Sequence, residues 1–137
     1  MIIYERLFYA ANLICKTSRN NDSILVKWLN IEYNNGGHFN GTHFNVPYDG
    51  IFLFNVQAKQ HSSTEGNLYF YVNGNNYFAI SKTSNPNTHA DKSHGTASLI
   101  KTIELKKNDR IHLGCGGHLY DMNKNTTFFE GKLIEKK

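Results

Sequence analysis

Three groups of residues in this chain have types and spacings that could do chemistry. Gly114-Cys115-Gly116-Gly117-His118 sets a thiol three positions before an imidazole, and a cysteine nucleophile needs such a base within hydrogen-bond reach. Glycines also gather around a residue for backbone reasons alone, because tight turns need their conformational freedom. No Gly-x-Ser-x-Gly elbow, phosphate-cradling glycine loop or His-Glu-x-x-His helix accompanies the stretch, so the chain is expected not to be an enzyme. The second group is seven histidines. His89 and His94 are five apart and His112 and His118 six apart; neither spacing is a familiar zinc pattern, so they read as solvated loop side chains. The third group is Asn21, Asn40 and Asn125, each opening an Asn-x-Ser/Thr acceptor for N-glycosylation, which points weakly to export.

Strands must hold these side chains. Nine Phe and eight Tyr stand against two Pro and two Met, and aromatic rings suit a pleated, half-buried surface. No segment sustains an apolar repeat at helical spacing, so no long helix is expected. The strand signal is clearest after Gly50, where Phe52, Phe54, Val56 and Ala58 alternate with Ile51, Leu53, Asn55 and Gln57. One set is apolar throughout, and the other starts apolar before turning polar, so this strand needs a cover on both faces. Residues 127–134 repeat the pattern, with Phe129, Gly131 and Leu133 on one side and Phe128 and Ile134 on the other.

Two further strands are expected at residues 4–13 and 24–31. The first sets Leu7, Tyr9 and Ala11 against Phe8 and Ala10; the second sets Val26 and Trp28 against Leu25 and Leu29. Asn73-Gly74 lies between two aromatic runs, and that dipeptide supplies the two positive φ values of a tight hairpin turn. A second hairpin joins residues 96–105 to 110–113, and residues 82–95 form a long polar loop.

At 137 residues the chain reads as a single domain over 1–137 with room for a real core. A net charge of +4 is mild and spread along the sequence, which argues against a nucleic-acid partner. Cys15 and Cys115 lie a hundred positions apart without a Cys-x-x-Cys; one disulfide or two small buried thiols both fit. No stretch is long enough to insert in a membrane, and no basic start followed by an apolar run marks a signal peptide.

The spacing of Trp28, Asn34, Phe39, Phe44, Gly50, Phe52, Phe54 and Val56 resembles the signature of the C1q domain. That domain is the globular head of the complement C1q and tumour necrosis factor superfamily. Gly36-Gly37-His38-Phe39 resembles the entry to its central strand. Asn108-Asp109 stands where the family has Gly-Asp. Thr127, Phe129, Gly131 and Leu133 resemble its closing strand. The resemblance covers residues 28–134 and shows no collagen stalk. It implies an all-β jelly roll of about ten antiparallel strands in two sheets, assembled as a homotrimer. Ile51, Leu53, Phe128 and Ile134 would then face the threefold axis. It also implies an extracellular, non-catalytic recognition module that binds microbial or cell-surface glycans. A cytokine-like ligand of a protein receptor, or a structural trimerisation module, are the alternatives. Relatives bind calcium through loop carboxylates near the axis, and Asp91 is the counterpart here. It is the only carboxylate in its neighbourhood, whereas calcium takes roughly six to eight oxygens, so no cofactor is expected.

Overall fold

The computed structural model describes residues 2–16, 24–59, 66–80, 82–83, 96–121 and 127–137. Among these it forms eleven strands: β1 (Ile2–Lys16), β2 (Ile24–Leu25), β3 (Lys27–Asn34), β4 (His43–Asn45), β5 (Gly50–Lys59), β6 (Gly66–Val72), β7 (Asn75–Ile80), β8 (Lys82–Thr83), β9 (Thr96–Leu105), β10 (Arg110–Asp121) and β11 (Phe128–Lys136). All pairings are antiparallel. One sheet runs β3-β1-β11-β5-β9-β8. The other is built on β10, which carries β6 and then β7 on one side. Its opposite edge takes β4, β2 and the end of β1 in turn. This is the all-β jelly-roll sandwich that the alternation and the family resemblance imply.

The core lies between the sheets and is aromatic. Phe52, Phe54, Val56 and Ala58 point inward from β5, and Phe129 and Leu133 join them from β11. Phe8 stacks on Phe39 with ring centres 4.6 Å apart and meets Phe129 edge-on at 4.9 Å. Phe54 meets Phe70 of the opposite sheet at 5.3 Å, a geometry that adds to simple area burial. Trp28 and Phe44 complete this layer. Every apolar residue of the family signature is therefore scaffold.

The polar and glycine positions of the signature are scaffold too. Asn34 donates from Nδ2 to the Phe39 carbonyl at 2.7 Å and accepts from the Phe39 amide at 3.2 Å. Its side chain thus clamps a single 3-10 turn at Asn35–Gly37. A Cβ on Gly50 would lie 2.7 Å from the Glu135 carbonyl oxygen, which explains a glycine at the mouth of β5.

The Asn73–Gly74 hairpin between β6 and β7 forms as the sequence predicts. The expected hairpin of residues 96–105 with 110–113 does not: β9 pairs with β5 and β8, β10 lies in the other sheet, and the Asn108 turn crosses between them. Asn73 and Gly74 take φ of 52° and 81°, and Asn108 takes 76°; asparagine is among the few residues that tolerate this region. β1 departs from expectation. Its register slips between Arg6 and Phe8, and Asn12 has φ of 63°. These irregularities bury Leu7, Phe8, Ala10, Ala11 and Leu13 together, so the simple division into two faces fails. Past Asn12 the strand leaves β11 and pairs with β10, Leu13 opposite Asp121. Bulges of this kind bend a strand from one sheet into another.

Cys115 is fully buried and disulfide-bonded, and Cys15 is the chain's only other cysteine. The pair of buried thiols is thereby set aside, and with it the cysteine nucleophile.

Candidate functional site

The outward face of the β10 sheet carries the chemistry. Along β10, Arg110 and His112 point away from the core while Ile111 and Leu113 are fully buried. Pairing sets His112 opposite His43 and Arg110 opposite Asn45 on β4. On the other flank His112 faces Tyr71 of β6. Three adjacent strands thus present polar side chains at neighbouring points, and the Asn73–Gly74 turn closes one end. His43, Asn73, Gly74, Arg110 and His112 line a concavity of about 370 Å³.

Hydrogen bonds and ring contacts fix the geometry. His112 stacks flat on Tyr71, 4.6 Å centre to centre and 3° from parallel. The His43 and His112 rings lie 4.9 Å apart. Arg110 donates from Nε to Asn45 Oδ1 at 3.1 Å, and its amide donates to Asn73 Oδ1 at 2.8 Å. Asn73 Nδ2 in turn donates to Asp109 Oδ1 at 3.0 Å, while Asp109 Oδ2 accepts from the Lys106 amide at 2.9 Å.

Asn40 holds the β4 end. Its Oδ1 accepts from the amides of Thr42 and His43 and from the Thr42 hydroxyl at 3.0 Å. Thr42 Oγ1 also lies 2.9 Å from His43 Nδ1. Thr42 has one hydroxyl proton and Asn40 Oδ1 can only accept, so His43 Nδ1 carries the hydrogen between them. Nε2 is then the nitrogen that titrates. Burial and the nearby Arg110 charge push His43 below the ordinary histidine value. Burial, then His43 and Arg110, push His112 the same way.

No sequence motif marks this cluster as a unit. By sequence spacing His112 falls with His118, six residues on, and nothing local marks His43. The available signal was the period-two placement of Arg110 and His112 beside the buried Ile111 and Leu113. Asp91, His89 and His94 lie outside the described residues, as do Asn21 and Asn125. Asn40 is exposed. Among the described residues no three His, Cys, Asp or Glu side chains converge as a metal site, and no helix is long and apolar enough to cross a membrane.

The second surface of interest is the outer face of the β5–β11 sheet. Ile51, Leu53, Phe128 and Ile134 are half-buried there. Leu53 sits opposite Lys132, and Phe128 opposite Gln57. Phe128 stacks on Tyr9 at 5.4 Å, and the Arg6 guanidinium lies 5.2 Å from the Tyr9 ring. Glu130, itself buried, is paired with Arg6 at 2.7 Å and lies 3.7 Å from Lys132. The sequence expectation that Ile134 shares Phe128's face needs an adjustment: the register slips between Leu133 and Glu135, leaving Ile134 in a bulge.

Comparison with known proteins bears on the scaffold. No curated protein sequence matches the chain. Among solved structures it is similar to the Eiger TNF of S. frugiperda, with a TM-score of 0.67 and 15% identity over 98% of this chain and 94% of that one. It is also similar to murine APRIL, with a TM-score of 0.66 and 14% identity over 93% of this chain and 98% of that one. At such identities the likeness is one of fold. The family model of the C1q domain matches residues 8–134, nearly the whole sandwich from β1 to β11, and the chain belongs to the C1q domain family.

Proposed function

We propose that this protein is a non-catalytic, lectin-like recognition head that binds glycans of microbial or cell surfaces, and that it works as an extracellular homotrimer. The concavity between β4, β10 and β6 carries the reading. Sugar recognition needs an aromatic face beside a few fixed hydrogen-bonding groups in a shallow hollow. The ring of Tyr71, one face stacked on His112, stands beside the concavity as the aromatic element, and Arg110, Asn73 and the two imidazoles that line it supply the polar groups. Each is set on a strand or a tight turn, so little ordering is needed on binding. The trimer is supported by the half-buried apolar side chains Ile51, Leu53 and Phe128 on the outer face of the β5–β11 sheet, which association would cover. A glycan array probed with the intact protein tests the reading: binding is expected, and Tyr71→Ala together with Arg110→Ala removes it. An array that stays blank while the protein binds a purified receptor ectodomain rejects it.

A second reading, a cytokine-like ligand of a protein receptor, rests on one observation. The edge strand β3 exposes Leu29, Ile31 and Tyr33 at 48%, 39% and 44%. Large apolar side chains on an open edge suit a protein partner better than a sugar.

A further inference from the structure

We propose that the His43–His112–Arg110 concavity grips the anionic group of an acidic glycan, a sulfate or a uronate carboxylate, and that the grip tightens as the pH falls. The inference deepens the lectin-like reading and rests on it.

The charge inventory of the site favours an anion. The five lining residues include an arginine and two histidines and no carboxylate. Among the described residues no acid pairs with Arg110; its one side-chain hydrogen bond runs from Nε to Asn45, which leaves the terminal fork to meet an oxyanion. Asp109 is the nearby acid, and both its oxygens are engaged, by Asn73 Nδ2 and the Lys106 amide. The titratable and charged groups around the two imidazoles are then Arg110 and Asp109 on the β10 side and Tyr71 on β6. Asn45 and Thr42 on the β4 side and Asn73 in the turn are neutral.

The histidine pair makes the grip conditional. Two rings 4.9 Å apart beside a guanidinium disfavour double protonation, because each cation raises the cost of the next. An anion seated between them reverses that cost. His43 Nδ1 already holds a hydrogen directed at Thr42, so the neutral ring keeps a lone pair at Nε2, which repels an anionic oxygen. Protonation converts the same atom into a charged donor without moving the ring. Binding and proton uptake are therefore linked: whatever the anion gains from the imidazolium ions, it returns as a raised affinity of the histidines for protons.

The test uses three polysaccharides at fixed ionic strength: dextran sulfate, polygalacturonate and neutral dextran. Titration calorimetry is run at about pH 5.5 and about pH 7.5, on either side of the ordinary histidine range. Expected is binding of a polyanion on the order of tenfold tighter at the lower pH, as one added ionic contact implies, with proton uptake visible in buffers of different ionisation enthalpy. The dextran sulfate and polygalacturonate arms decide whether the group is a sulfate or a carboxylate. The double variant His43→Gln/His112→Gln loses the pH dependence, whereas His38→Gln, outside the concavity, keeps it. Melting curves check that the variants stay folded. Neutral dextran binding as well as the polyanions, or a pH dependence that survives the double variant, overturns the anionic grip and leaves the glycan reading standing. Binding to no polysaccharide on these or on a glycan array overturns both.

Discussion

The ring of Phe8 fills the space that a side chain on Gly131 would need. A Cβ built at that glycine falls within contact distance of three ring carbons of Phe8. The ring cannot swing clear, because Phe39 stacks on it and Phe129 abuts it. Gly131→Ala should therefore destabilise the fold by about 1–3 kcal/mol through overpacking. Denaturant melts check this, and the double variant Gly131→Ala/Phe8→Leu should recover part of the loss.

Phe54 touches aromatic rings from both sheets and is fully buried. Phe54→Ala should cost about 3–5 kcal/mol. Tyr77 is 57% exposed, and Tyr77→Ala should stay within about 0.5 kcal/mol of the parent. Equal melting midpoints for the two would mean the inward face of β5 is misassigned.

These two positions also show what the sequence could disclose. The alternation from Phe52 to Ala58 and the turn chemistry of Asn73–Gly74 and Asn108 are local properties, and they were legible in the residues alone. β1 was not, because its alternation is interrupted by a bulge at Arg6–Phe8 and by positive φ at Asn12, and neither irregularity has a period. The concavity was hidden for a different reason. His43 and His112 are far apart along the chain and meet through the register of β4 on β10, and only the assembled sheet sets that register.

Leu53 lies half-buried on the outer face of β5, between Lys132 of β11 and Thr102 of β9. If three copies close around that face, Leu53→Asp buries three carboxylates there, and the burial and mutual repulsion exceed what the adjacent Lys132 offsets. The native protein should then scatter light as a trimer at micromolar concentration, and the variant as a monomer or an unfolded chain. A native protein that stays monomeric there ends the trimer proposal.

Both site histidines are held below their ordinary value, chiefly by burial. The unfolded chain therefore binds more protons than the folded one between the lowered values and the unfolded value of about 6.5. Stability should be full above that upper limit and decline as the pH falls through the window. The His43→Gln/His112→Gln variant should show a flatter melting profile over the same range, and a saturating anionic glycan should flatten the profile of the parent.

Cys115 is buried at 0% exposure and disulfide-bonded. Cys115→Ser should cost about 2–5 kcal/mol, the usual loss on removing a native bridge. Ligand binding measured well below the melting temperature should persist, since the residue lies on the inward side of β10. Loss of binding with unchanged stability would instead give the thiol a role at the site.

The first strand lies against the last: Ile2 faces Glu135 and Ala11 faces Phe128. β1 lies inside its sheet between β3 and β11, and one of these two flanks is supplied by residues more than a hundred positions later in the chain. Until Phe128–Lys136 leaves the ribosome, the strand that carries Phe8 has an open edge and an uncovered apolar face. Pairing across nearly the whole chain also makes loop closure the dominant entropic cost of the folding step. A chain that has made β1 but not yet β11 therefore exposes an unpaired strand edge and apolar surface, the features that make partly folded species prone to aggregate.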